Sequence, residues 1–497
     1  MEQGGKTFAE NGITAAVYIA KPINLNGGSI VVNGVLNEPE SGAKGTVLIA
    51  DNALLAAALD NDTALGREYV ISGAELNLES KSYVFLDMAN VTEYGDLNIQ
   101  LAEKVTGLEE LSEDQIKLFG KGASLWYGIK VEGGKITASY DPVQKMEGLI
   151  APNTFRAVLM NDTPYAATIR ELLAGGDLAA ATRQLNRSAA VGAAAGTQIV
   201  ALNASSMITD TVEKHGSVLA GYAHEKAGPD LWIDLNSSFS KADSYSVGSA
   251  SYGYKSDLAG ATFGADYAFG NGLAAGAAFS IGTGSLRGQN LGGGVKNSVD
   301  YYGANLYGVW STEYANVLGT VGYLHTKNKV SSHLGSKTKP YGNALTVAVR
   351  AEKPFALTPA VSVTPHVGVR YVFTDIEDFK QGEFKFTNKK TNLVRFPVGV
   401  AVNANLKAPC GAEVKPFLDL TVEPTAGDRK AKNKFGLASG LGSDSLNTRV
   451  ADNALYSAKV GINATKGGHT FGLNYSVGRA SHGRLDQQLQ AGYRYAF

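Results

Sequence analysis

The sequence predicts an all-β membrane protein: an antiparallel transmembrane β-barrel of about 12 strands with an N-terminal lumenal α-helix, preceded by a β-solenoid-like segment. Three observations predict it. From Leu231 to the end, apolar and polar residues alternate in runs of about ten to fourteen, against about five or six for an average soluble strand. Connections between these runs alternate between tight and long, the pattern of a barrel with short turns on one side of a membrane and loops on the other. The chain ends in Leu489-Gln490-Ala491-Gly492-Tyr493-Arg494-Tyr495-Ala496-Phe497, with Leu489, Ala491, Tyr493, Tyr495 and Phe497 on one face. At about 3.3 Å per residue, roughly ten tilted residues cross the hydrocarbon core.

Composition permits this and excludes other classes. The 497 residues are 44% hydrophobic, which is incompatible with a disordered chain, and only 18% charged with a net charge of -1, so no field steers the protein toward nucleic acid. The 59 Gly and 23 Tyr suit tight turns, close strand packing and interface girdles. A single cysteine, Cys410, cannot form an internal disulfide. No run of about eighteen apolar residues is present, which argues against helical spans and leaves barrels untouched. Met1-Glu2-Gln3-Gly4-Gly5-Lys6 shows no basic segment leading into an apolar run, so a chain that ends in a membrane strand is expected to be a mature fragment or a truncated reading frame.

Three regions follow in order: 1–160, 161–228 and 229–497. The first holds short β-like runs, Ser29 to Val35, Gly45 to Ala50, Glu68 to Ile71, Lys81 to Asp87, Ser124 to Val131 and Lys135 to Tyr140, several at the loose period of a β-solenoid. Ser112-Glu113-Asp114-Gln115 fits a capping box, predicting a short helix through Ile116, Leu118 and Phe119. In the second region, Thr163-Pro164 opens a helix that stops at Gly175-Gly176, and Asp177 caps another through Leu185. Ala189 to Lys214 then predicts a helix of bilayer length, since about twenty residues measure about 30 Å. Its small face, Gly192, Ala193, Ala194, Ala195 and Gly196, suits close approach to backbone inside a pore, although a soluble linker helix has the same composition.

In the third region Ala261, Phe263, Ala265, Tyr267 and Phe269 lead through Asn271-Gly272, a hairpin signal, into Leu273, Ala275, Ala277, Phe279 and Ile281. Similar alternation recurs from Val361 to Phe373, Val394 to Ala404, Val414 to Val422, Tyr456 to Ala464 and Phe471 to Val477. Tight turns fall at 270–272, 311–313, 357–359 and 466–468, and longer polar loops at 327–342, 374–391 and 426–451.

The apolar register faces lipid, so the other must face the lumen. There sit Arg350, Glu352, Arg370, Arg395 and Asp419, with Lys415 and Glu423, a mixed set that would be costly against hydrocarbon. Mutual neutralisation and anchoring of a lumenal helix is the favoured role, ahead of ion selectivity. Trp232 lies in the polar register, which leaves Trp310 and Tyr371 as the girdle candidates. The 7 His have no partner at metal-ligand spacing, so neither a metal nor a cofactor is expected. Gly282-Thr283-Gly284-Ser285-Leu286-Arg287-Gly288 has no helix start behind it and reads as loop rather than phosphate site. No nucleophile elbow or P-loop is visible, so an enzyme is not expected.

The order of these parts resembles the carboxy-terminal portion of a monomeric autotransporter of the type V secretion family. Leu258 to Tyr267 and Asn271-Gly272-Leu273 look like that family's second and third strands, and the resemblance covers about residues 185 to 497. Residues 1–160 resemble only a passenger remnant. The resemblance implies a Gram-negative outer-membrane barrel that supports export and surface anchoring of its own N-terminal passenger, with a helix left in the pore. It also implies, as partners, the outer-membrane lipid and the barrel assembly machinery, which reads Tyr493, Tyr495 and Phe497. Some members cut the helix at paired asparagines, whereas this helix has only isolated Asn186 and Asn203. Two alternatives stand beside it: a surface adhesin that meets a host-cell surface through the solenoid region, and a small-solute porin.

Overall fold

The computed structural model describes residues 12–36, 44–224 and 227–497, with the backbone of Glu2–Gln3 and Lys6–Thr7. Met1, Gly4 and Gly5, on which the signal-peptide reading rests, lie outside the described residues. The chain divides into two compact units, residues 1–185 and 186–497.

The first unit is a coil of parallel strands. Ser29–Val32, Gly45–Ile49, Tyr69–Leu78 and Leu97–Thr106 stack in one sheet, and Ala15–Ile19, Ala53–Ala58, Tyr83–Asp87 and Ile116–Phe119 in the other. From Gly45 onward the chain alternates between the sheets and encloses Val47, Leu54, Leu76, Val84 and Ile99, all buried. Asn26, Asn33 and Asn52 take left-handed conformations at corners (φ 43°, 57° and 61°), a backbone state asparagine tolerates better than other side chains. The hairpin Trp126–Glu132 and Lys135–Tyr140 pairs antiparallel with Leu97–Ile99 and covers a sheet edge that would otherwise be open.

The helix expected after Ser112 is instead the strand Ile116–Phe119. Gln115 does bond back to the Ser112 N–H at 3.0 Å, but its amide donates to the Ser80 and Ser82 carbonyls of the preceding rung. That anchor turns the following residues into parallel register with Val84–Asp87. Tertiary pairing overrides a local capping signal. Ala53–Ala58 was invisible to alternation because all six of its residues are buried.

Beyond the hairpin lie α1 (Pro152–Leu159), α2 (Pro164–Ala174), α3 (Leu178–Ala194) and α4 (Thr197–Ala220). Thr163 caps α2 by accepting the Ala166 N–H at 3.1 Å. Arg170 of α2 joins the coil's end: its guanidinium donates to the carbonyls of Leu159 (2.8 Å) and Asn161 (2.6 Å) and lies 4.4 Å from the centre of the Tyr94 ring. Tyr94 in turn packs against Trp126 and Tyr140. Burial pushes the Tyr140 phenol up, so it remains a donor to the Leu159 carbonyl. The helix capped by Asp177 runs to Ala194 rather than Leu185, and the long helix breaks at Gly196 (φ +58°) before continuing six residues past the expected Lys214.

The second unit is a closed barrel of twelve antiparallel strands. They are β1 (Ala227–Val247), β2 (Ala250–Phe269), β3 (Leu273–Asn290), β4 (Lys296–Ser311), β5 (Asn316–Ser332), β6 (Tyr341–Glu352), β7 (Val361–Ile376), β8 (Thr391–Arg395 and Val398–Ala404), β9 (Glu413–Gly427), β10 (Ala454–Lys466), β11 (His469–Ala480) and β12 (Leu485–Ala496). Pro397 lacks the N–H that an unbroken β8 would need, and the strand interrupts there. β12 closes on β1, from Asp230 opposite Ala496 to Lys241 opposite Leu485.

β1 to β5 run 16 to 21 residues, longer than the alternation predicts. The apolar outward stretch Leu273 to Ile281 spans about 26 Å along β3, enough at a ~40° tilt for most of a barrel's apolar band. Beyond it β3 continues as a polar ladder. The expected loop at Gly282 is therefore strand, because Gly260 and Gly282 leave room for the inward Tyr301 ring, which a Cβ at either would overlap. The expected loops at 374–391 and 426–451 likewise carry pairing: Phe384–Thr387 pairs with Lys430–Leu437, and that strand with Ser443–Arg449.

Two outcomes follow. Arg170→Ala orphans two buried carbonyls and is expected to destabilise the first unit by about 2–4 kcal/mol, read as faster proteolysis of residues 1–185 in a urea series. Gly282→Val overpacks the barrel by about 1–3 kcal/mol and lowers the heat-modifiability midpoint on gels, while Gly282→Val with Tyr301→Ala recovers most of the loss.

Candidate functional site: the helix-filled lumen

Inward residues of a barrel need polar partners, and here a helix supplies them. α4 runs through the lumen and touches β1 to β7. Near the short-turn end it is held by apolar packing: Val212, Leu219 and Ala220 lie against Trp232, Ala268, Ala274, Tyr307, Val309 and Leu318. A Cβ on Gly216 would come within 2.8 Å of Leu318, so glycine there sets the helix-to-wall distance. Toward the long-loop end Leu202 packs on Val372, Leu393, Ala431 and Val450. The segment Leu178–Ala220 has the length and hydropathy of a membrane-crossing helix, and within the barrel it is enclosed by protein rather than lipid.

The centre of the lumen is ionic. Arg370 of β7 donates to Asp210 at 2.8 Å and Glu213 at 3.1 Å, both on α4, and lies 3.9 Å from Glu423 of β9. Arg395 of β8 pairs with Glu423 at 3.4 Å and donates to Ser206 of α4 at 2.6 Å. Arg350 pairs with Glu352 at 3.0 Å, and Ser217 donates to the same carboxylate at 3.0 Å. His366 meets Asp419 at 3.2 Å. A cavity of about 110 Å³ remains beside these groups, lined also by Asn203, Lys459 and Arg484. It has room for a few waters.

A second cluster ties the helix to the closing seam. His215 stacks on Trp232 with centroids 4.4 Å apart and bonds Asp266 at 2.7 Å, and Asp266 also accepts from Tyr307, which receives the Trp232 indole N–H at 2.8 Å. Lys214 reaches Asp234 at 3.2 Å. Arg494 of β12 pairs with Asp230 of β1 at 2.9 Å across the seam and covers the Tyr222 ring at 3.8 Å.

The five inward charges read from the sequence, Arg350, Glu352, Arg370, Arg395 and Asp419, all sit in the lumen, and the structure joins three of them to α4 directly or through Ser217. The helix's own charges, Asp210, Glu213, Lys214 and His215, were missed, as was the Asp266 hub. The visible signal for the hub was Trp232 in the polar register. Of the small face, Gly192 lies against Phe386, Ala194 against Gly288 and Gly292, and Gly196 against Leu286. These contacts seat α3 under the long-loop rim, and Ala193 and Ala195 are buried with them. Tyr493, Tyr495 and Phe497 form one outward aromatic patch with His469 and Phe471, the centroids of Tyr495 and Phe497 being 4.7 Å apart. Trp310 and Tyr371 both face outward.

Residues 231–476 match the family model described as the autotransporter beta-domain. Among curated proteins, outer membrane protein A of Rickettsia conorii is 24% identical over 80% of this chain, and that of Rickettsia rickettsii is 24% identical over 73%. The chain spans 23% and 19% of the length of these two relatives. Similar solved structures include the translocator domain of NalP from Neisseria meningitidis (12% identity, 59% of this chain, 98% of that one, TM-score 0.44) and the transport unit of AIDA-I from Escherichia coli (12% identity, 57% and 97%, TM-score 0.43). With its strands closed around a helix, the barrel of this chain belongs to the autotransporter β-domain family and resides in the Gram-negative outer membrane.

Proposed function

We propose that the barrel exports the chain's own amino-terminal region and then anchors it at the cell surface, with α4 as the segment left in the pore. The supporting observation is the pairing of Asp210 and Glu213 on α4 with Arg370 on the wall, which holds the helix by charge as well as by packing. An empty lumen would leave Arg370 and Arg395 to water, a state open to a passing chain. The filled lumen disfavours the porin reading, because α4 packs against β1 to β7 and leaves a cavity of only about 110 Å³ beside the central charges. The barrel assembly machinery is the proposed reader of Tyr493, Tyr495 and Phe497, which project together from the last strand at the rim. The passenger reading rests on the parallel coil of residues 15–119, an elongating architecture suited to display.

In planar bilayers the intact chain is expected to conduct little, and deletion of residues 197–220 to open a stable channel with about tenfold or greater conductance, since a helix about 10 Å wide has left the pore. Unchanged conductance would sink the proposal. Arg370→Ala leaves Asp210 and Glu213 without their cation, a loss of roughly 3–5 kcal/mol for a buried pair, and the helix should leave the pore more often, seen as a higher frequency of transient openings. Removal of Phe497 is expected to lower the heat-modifiable membrane fraction severalfold, with equal insertion of both forms counting against the assembly role.

A further inference from the structure

The outer wall carries a row of cations that helix anchoring does not use. Lys241 of β1 lies directly opposite Lys255 of β2, Lys255 opposite Arg287 of β3, and Arg287 opposite Lys296 of β4. Facing partners in an antiparallel ladder share a side of the sheet, and these four fall in the outward register of Leu235, Phe263, Phe279 and Leu306. Like charges placed directly opposite one another destabilise a sheet, yet the arrangement recurs across three consecutive strand pairs. Lys241 has Asp243 at 3.7 Å, whereas Lys255, Arg287 and Lys296 make no ion pair among the described residues. Asp243 beside Lys241 and Asp257 two residues from Lys255 share this outward register, but Asp257 faces Phe239 and Ser285 across the ladder rather than a member of the row.

The row's height on the wall narrows what can neutralise it. On β1, Lys241 is the first outward residue after Phe239, at the edge of the apolar band. On β3, Thr283 and Ser285 separate Arg287 from Ile281, about 20 Å farther along the strand. The row therefore starts where hydrocarbon ends and climbs through the headgroup layer on the long-loop side. We infer that it docks the phosphates of surface-leaflet lipopolysaccharide. Strands stand about 4.8 Å apart, so one phosphate between neighbouring strands can bridge two cations and turn their repulsion into attraction. Anionic headgroups attract each basic residue near a membrane surface in the same way.

The full chain, purified and placed in phosphatidylcholine vesicles with or without lipopolysaccharide, tests this through its unfolding midpoint on heat-modifiability gels. Lipopolysaccharide should raise the midpoint of the native chain, and lipopolysaccharide stripped of phosphate should not. The combined variant Lys255→Ser, Arg287→Ser, Lys296→Ser should show an about threefold smaller rise, with an equal or higher midpoint in phosphatidylcholine alone because the facing charges are gone. Lys255→Glu places an opposite charge between Lys241 and Arg287; it should raise the midpoint without lipopolysaccharide and weaken the response to it. If the combined variant does not assemble, Lys255→Glu decides by the same two readings. A full rise in either variant, an equal rise with dephosphorylated lipid, a lower midpoint of the variants in phosphatidylcholine, or a larger response to a soluble sulfated polysaccharide than to lipopolysaccharide would each overturn the inference.

Discussion

Closure of β12 on β1 is the constraint on which the rest of the second unit depends. Hydrocarbon offers no partner to a backbone N–H or C=O, so an open sheet edge cannot lie in it. The seam from Asp230–Ala496 to Lys241–Leu485 removes that edge, and closure then fixes two faces with opposite requirements. Leu231, Leu235, Phe263 and Phe279 meet lipid, while Asp230, Asp234, Asp266 and Arg370 turn inward, where charge must find charge. The seam carries its own lock in Arg494 and Asp230, which join the last strand to the first inside the wall.

Closure also makes a space that has to be filled, and the filling is shared between the wall and the helix. Tyr301 and Trp232 lean into the positions of Gly260, Gly282 and Gly264, so part of the lumen is occupied by wall side chains resting on neighbouring strands. α4 occupies the remainder. Its apolar end is sized by Gly216 against Leu318, and its middle turns Asp210 and Glu213 toward Arg370. Buried ion pairs add little net stability compared with apolar packing, but they are expensive to break by halves. Such pairing specifies one seating of the helix, while permitting a water-filled lumen when the helix is elsewhere.

The barrel was legible in the sequence because a lipid-facing strand has only one dry face to write, and a period of two results. Inward charges such as Arg370 and Arg395 were legible for the same reason. Their partners were not, since Ser206, Asp210 and Glu213 lie on a helix with no strong period, and which strand a helical residue meets depends on its rotation in the pore. Ala53–Ala58 left no alternation because both its faces are buried, and Ile116–Phe119 carried a capping signal that the neighbouring rung captured through Gln115. Glycines misled at Gly282, where they mark the footprint of a tyrosine on the next strand rather than a loop.

β1 to β5 rise beyond the apolar band, and β10 to β12 do not: β1 has 21 residues and β12 has 12. Backbone above the membrane is free to pair elsewhere, and Val247 at the end of β1 pairs with Thr448 of a loop strand instead of with β12. The loop strands that follow, Ser443–Arg449, Lys430–Leu437 and Phe384–Thr387, bring Phe435, Phe384 and Phe386 together, with Phe384 stacked on Phe435 and Phe386 tilted against it. Phe386 ends that cluster on Gly192, where a Cβ would approach its ring to 2.8 Å. The long side of the barrel thus folds over its own mouth and closes on the smallest residue of the helix, which explains why the glycine and alanine of α3 stand there and the larger Leu202 stands deeper.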